Sequence, residues 1–126
     1  MKREWDTVRL ILTKLEELPD TDASLSLDSF ECENESEAYK VSYNVSLLIE
    51  AGLVKGFMNE ISDKGPTSFI AYGLTWAGNE LLDAIRSDTV WNKTKETFAS
   101  KGIEMTFELV KSVAIGVTAK MLGLPA

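Results

Sequence analysis

Between Asn34 and Thr75 the chain reads as a helix that must bury one side, then a glycine stop, then two strand-like runs joined by turn formers. No other stretch restricts the fold as much. Apolar residues at Ala38, Val41, Val45 and Leu48 step by three and four, which lines one side of a helix. Asn34 suits the N-cap, since its side-chain oxygen can accept from a free first-turn amide while Glu37 reaches back in a capping box. Glu35 and Glu37 also complement the positive end of the helix dipole. Gly52, after Ala51, predicts the stop, because glycine takes the left-handed conformation of a helix C-terminus without steric cost. Leu53 is then placed to touch Leu48 across a Schellman turn. Val54 to Ile61 and Ser68 to Leu74 read as strands, the second richer in aromatic and β-branched residues. Asp63, Lys64, Gly65 and Pro66 lie between them, so the pair predicts a β-hairpin.

The flanking segments supply helices. Trp5, Val8, Ile11, Leu12, Leu15 and Leu18 fit one helix from Lys2 to Leu18, ended by Pro19. Asp20 to Glu33 is rich in Asp, Ser and Thr, and a short strand at Leu25 to Phe30 would add a third member to the sheet. Little room is left between Phe30 and Asn34 for a further helix. After Thr75, a cap residue, Leu81, Leu82 and Ile85 form an apolar stripe reaching about Arg86. Ser87 or Asp88 either restarts a helix or marks a bend in one long helix. Trp91, Thr94 and Phe98 share its next face before Gly102 stops it. In the last segment Ile103, Phe107, Val110, Ala114, Val117 and Met121 alternate steps of four and three, a heptad-like seam. Leu109, Val113 and Ile115 widen that apolar surface, which leaves two uses open: packing on its own domain, or a homodimer through residues 103–121.

Composition narrows the chemistry. There is no histidine, which removes the commonest general base and the commonest zinc ligand, and the single Cys32 can form no internal disulfide. A non-catalytic protein with no metal and no cofactor is the expectation. The acids at Asp20, Asp22, Asp28 and Glu31 to Glu35 lack the ligand spacing of a calcium loop and read as a solvated loop. No apolar h-region follows the charged N-terminus, and Glu104, Glu108, Lys111 and Lys120 interrupt the last apolar segment, so a cytoplasmic protein without a membrane span is expected. The formal net charge of −7 opposes phosphate binding by the chain as a whole.

The order of helix, Ala-Gly-Leu-Val stop, strand, turn and strand, followed by Leu74-Thr75-Trp76-Ala77-Gly78, resembles the winged-helix superfamily of small bacterial regulators. In those proteins the helix before the glycine is the one presented to DNA. The expected fold is thus mainly α with a small antiparallel sheet (α+β). Residues 1–86 would form a winged-helix-like domain and 87–126 a helical extension. A closer likeness rests on the opening Met1-Lys2-Arg3-Glu4-Trp5-Asp6, on Ser42-Tyr43-Asn44-Val45 with Leu47 to Leu53, and on Leu82-Asp83-Ala84-Ile85-Arg86 with Trp91. Over roughly residues 1–95 the chain resembles a family of uncharacterised small proteins of bacteria and their phages, catalogued as a domain of unknown function. That resemblance implies a winged-helix-like fold and a phage or prophage setting, and no reaction. Family members often carry histidine where this chain has Asn44, so no histidine role carries over.

By analogy of fold, the first functional expectation is a transcriptional regulator binding double-stranded DNA. Off the apolar stripe of the central helix, Tyr39, Lys40, Tyr43 and Asn44 would read the groove, with Asn44 pairing to adenine and Lys40 meeting a guanine or a phosphate. Lys55 and Lys64 would add backbone contacts from the hairpin. Against this, the central helix and its approach carry Glu33, Glu35, Glu37 and Glu50 against Lys40 alone. The alternative is a protein-interaction module whose acidic surface meets a basic host or phage protein.

Overall fold

In the computed structural model, which describes residues 1–59 and 64–125, the chain forms five α-helices and a two-stranded antiparallel sheet. It is mainly helical with a small sheet, an α+β fold in winged-helix-like order. Two compact units divide it, residues 1–79 and 80–126. The division falls earlier than the expected 1–86, so residues 80–86 count with the C-terminal helices.

The first unit opens with α1 (Trp5–Glu16), whose N-cap is Glu4. The Glu4 carboxylate accepts from the Asp6 and Thr7 amides at 3.2 and 2.8 Å and from the Thr7 hydroxyl. Val8, Ile11, Leu12 and Leu15 are buried against α2 (Glu35–Glu50), which contributes Val41, Val45 and Leu48. Asn34 caps α2 by accepting from the Glu37 amide at 2.9 Å. Glu37 reaches back to the amide of Glu33, one residue before the one a capping box would use. The Schellman close is complete: Leu53 N donates to Leu48 O at 2.9 Å and Gly52 N to Ile49 O at 3.1 Å, with Gly52 at φ +76°.

Between α1 and α2 the expected strand shrinks to one residue. Leu25 makes an isolated antiparallel bridge to Ala71, and Leu27–Phe30 coil into a 3-10 turn. Local hydrogen bonds explain the difference, since Ser29 Oγ accepts from the Ser26 amide at 3.0 Å and Ser29 N donates to Ser26 O at 3.0 Å. Serine side chains compete with a sheet ladder in this way. The turn sits where a helix-turn-helix would carry its second helix. Phe30 then packs edge-on to Phe69, ring centroids 6.0 Å apart.

The hairpin pairs β1 (Val54–Met58) with β2 (Phe69–Leu74), and Asn59 N to Ser68 O extends it at 2.9 Å. The expected end of the first strand at Ile61 and the turn residue Asp63 lie outside the described residues. The register runs Lys55 to Gly73 and then Gly56 to Ala71, so Tyr72 is an extra, bulged residue. Phe69 and Ala71 face the core, whereas Phe57 and Tyr72 are exposed.

Leaving β2, the chain is fastened to the end of α2. Thr75 N donates to Leu53 O at 3.1 Å, Thr75 Oγ1 donates to Gly52 O at 2.7 Å, and Gly78 N donates to Thr75 Oγ1 at 3.0 Å. One threonine thus caps α3 (Trp76–Ile85) and ties it to the Schellman turn. Gly78 is required by proximity, because a Cβ there would lie 2.0 Å from Leu53 O. The Leu-Thr-x-x-Gly motif is a backbone clasp.

In the second unit Leu81, Leu82 and Ile85 are buried with Val90, Trp91, Thr94 and Phe98 of α4 (Asp88–Lys101) and with Val110 and Ala114 of α5 (Phe107–Met121). Ser87 accepts from the Val90 amide at 3.3 Å, so the chain makes two helices rather than one bent one. Gly102, at φ +66°, ends α4, and Thr106 caps α5. Ile103, the first residue of the expected seam, lies before α5 and is exposed.

Thr94 is fully buried, and its Oγ1 has no hydrogen-bond partner among the described residues. Thr94→Val keeps the shape and removes an unsatisfied hydroxyl, so it is expected to stabilise the protein by about 1 kcal/mol. Urea denaturation measures this; a lower midpoint for the variant would contradict the account.

Candidate interaction surface

The exposed side of α2 carries Tyr39 and Lys40, with Tyr43 half-buried beside them. Residues 1–4 run alongside, and together they enclose an open groove of about 1040 Å³ lined by Met1, Lys2, Arg3, Glu4, Glu35, Ser36, Tyr39, Lys40 and Tyr43. A smaller cleft of about 240 Å³ shares Met1, Tyr39 and Tyr43 and reaches Ser42, Met58 and Thr67. Ser42 Oγ donates to Thr67 O at 2.5 Å, which holds the approach to β2 against α2.

Of the residues expected to meet DNA, the groove brings together Tyr39, Lys40 and Tyr43. Lys55 and Lys64 are exposed on the hairpin and line neither cavity. Asn44 is withdrawn from the surface altogether. It is fully buried, its Oδ1 accepts from the Glu4 amide at 2.9 Å, and its Nδ2 donates to Lys40 O at 2.8 Å. The reading of Asn44 as an adenine contact is therefore corrected: its hydrogen-bonding capacity goes to docking the start of α1 on α2. A signal was present, because Val41, Asn44 and Leu48 step by three and four and so share the buried stripe.

Lys2 and Arg3 are cationic groove residues that the sequence did not mark for DNA contact. The Arg3 guanidinium lies 4.6 Å from the centre of the Trp5 ring, a cation–π distance. Their position beside Lys40 depends on the N-terminal segment passing α2, a non-local contact that periodicity does not report.

The charges are unevenly divided. Residues 1–79 hold seven Lys and Arg against fourteen Asp and Glu, so the whole −7 belongs to that unit, while residues 80–126 balance six against six. From Leu15 to Tyr39 there are nine acids and no base. All nine except the half-buried Glu37 are exposed, over the end of α1, the following loop, the 3-10 turn and the first turn of α2. Cys32, in this stretch, has its thiol pushed up by burial and then by the nearby Glu37 charge, which disfavours the nucleophilic thiolate. Among the described residues no group of three or more His, Cys, Asp or Glu is placed to hold a metal ion.

The expected dimer seam is also corrected in part. Val110 and Ala114 are fully buried within the second unit, where α5 packs on α4. Phe107 and Val117 are half-buried and Met121 is exposed. The centre of the repeat, Val110 and Ala114, therefore serves an internal helix contact. No helix among the described residues is long and apolar enough to cross a membrane.

Comparison with known proteins finds a match over residues 2–104 to a family described as hypothetical protein, DUF2513. A Haemophilus influenzae protein, itself described as uncharacterised, is 42% identical over 122 residues, covering 97% of this chain and 99% of the relative. No solved structure matches.

Proposed function

The chain belongs to the DUF2513 family of hypothetical proteins, and we propose that it works as a non-catalytic interaction module, its winged-helix-like unit presenting an acidic surface to a basic protein segment. The observation that carries this reading is the uninterrupted run of nine acids between Leu15 and Tyr39. It flanks the entry to α2, the helix that a winged-helix regulator would bring to DNA, and phosphates approaching there meet like charge. A lysine- and arginine-rich partner meets opposite charge along the same path. In a bacterial or phage setting the partner is a basic host or phage protein.

A second reading, binding of duplex DNA, is favoured by one feature, the groove that sets Lys2, Arg3 and Lys40 beside Tyr39 and Tyr43. Three cations are few for a duplex binder, and they face Glu4 and Glu35 in the same groove.

Titration of the full chain with a short Lys/Arg-rich peptide and with mixed-sequence duplex DNA, at low and moderate salt, separates the two. The peptide is expected to bind with marked salt dependence and to bind at least about tenfold more weakly to a Glu33→Lys, Glu35→Lys variant. DNA is expected not to bind. Peptide indifference at low salt would remove the first reading, and DNA binding that Lys40→Ala abolishes would establish the second.

A further inference from the structure

The bonds of the hairpin fix which way the backbone of β1 faces. Leu25 N donates to Ala71 O at 2.7 Å and Ala71 N to Leu25 O at 2.9 Å, so both polar groups of Ala71 point away from β1. In an antiparallel ladder the residue opposite such a position also turns its polar groups outward, and Gly56 stands opposite Ala71. At the other end Asn59 N donates to Ser68 O at 2.9 Å, which makes Asn59 and Phe57 the ladder-bonded residues and turns Met58 outward. The amides and carbonyls of Gly56 and Met58 therefore face the outer edge of the sheet. Among the described residues nothing bonds to them there.

Little on that edge keeps another strand away. Edges are blunted in natural proteins by proline, by clustered charge or by a bulge in the edge strand itself. Val54–Met58 holds no proline and one charge, Lys55, and the bulged residue Tyr72 belongs to β2. Lys55 and Phe57 alternate on the face turned from the core and are both exposed, Phe57 by 53%. Lys55 forms no ion pair among the described residues. Met58, opposite the buried Phe69, points to the other face, where it lines the cleft of about 240 Å³ with Ser42, Tyr43 and Ser46 of α2.

We propose that the outer edge of β1 receives an extended segment of a partner protein, which joins the sheet as a third hydrogen-bonded strand. The occupant is a strand because the groups to be met are main-chain donors and acceptors on alternate residues, about 7 Å apart. A helix spends its own main-chain groups internally and cannot meet them. Charge and packing set the side chains of the segment. On the face of Lys55 and Phe57 it carries an acidic residue opposite Lys55 and a β-branched or aromatic one opposite Phe57. On the other face an apolar side chain lies beside Met58, over the neutral cleft. A second copy of this chain is the poorer occupant, since β1 offers Lys55 no acid and two first units at −7 repel one another. This edge lies outside the acidic residues 15–39, so the inference does not rest on the reading of that surface.

The probe is an acetylated and amidated heptapeptide with valine at every second position and glutamate and threonine between, titrated into the full chain and followed by amide NMR. Shifts at Gly56, Phe57 and Met58 are expected to approach saturation at about 1 mM, and the Gly56 and Met58 amides to gain protection from exchange. Met58→Pro removes an outward amide at a position where an edge strand tolerates proline, so the Asn59 amide stays protected while the peptide binds at least about tenfold more weakly. Lys55→Glu leaves the backbone untouched and is expected to weaken binding at least about fivefold. Absence of shifts at these amides up to about 5 mM overturns the proposal. So does binding that neither substitution alters. Self-association of the full chain that Met58→Pro abolishes would give the edge to a second copy and overturn it as well.

Discussion

A Gly78→Ala protein is expected to lose at least about 3 kcal/mol, the upper end of the range for overpacking. The usual cost of adding a methyl group comes from side chains that can shift. Here the atom in the way is the Leu53 carbonyl oxygen, 2.0 Å from where the Cβ would stand. That oxygen cannot retreat freely, because it accepts from Thr75 N at 3.1 Å, and Thr75 in turn holds Gly52 O and the Gly78 amide. Relief of the clash therefore breaks the clasp that joins the α2 stop, the exit of β2 and the start of α3. Thermal unfolding is expected to show a midpoint lower by more than about 10 °C. A midpoint within a degree or two of the unaltered protein would show that α3 stands further from Leu53 than described.

Asn44→Ala is expected to cost about 2–3 kcal/mol, combining a small cavity with a backbone amide deprived of its acceptor. The amide is that of Glu4, whose side chain is already committed to the Asp6 and Thr7 amides. Faster hydrogen exchange at Glu4, beyond the global change, is the local signature to be measured. The same substitution separates two roles that the sequence leaves joined. If Asn44 were a surface contact, its removal would leave stability unchanged, and an unchanged urea midpoint would return it to the surface.

The parts of this fold that were legible in the sequence are those written in local hydrogen bonds. The Asn34 cap, the Gly52 stop with Leu53 folded back to Leu48, and the cap at Thr75 each involve residues within five positions of one another, and their residue types state the geometry. The expected third strand gives way to a bridge and a turn because Leu25, Leu27 and Phe30 have a strand's spacing, while Ser26 and Ser29 offer a closer set of bonds. The α5 seam was visible as a repeat, but its destination was not, because spacing shows that a face is buried and not what buries it. The candidate groove was half legible. Tyr39, Lys40 and Tyr43 follow from the helix wheel, whereas Lys2 and Arg3 join them only through the path of residues 1–4.

The uneven division of charge has a consequence for how the molecule behaves as an electrolyte. Its isoelectric point averages a polyanionic portion and a zwitterionic one, and so describes neither. At neutral pH counterions are therefore drawn to residues 1–79, while residues 80–126 hold no net excess of them.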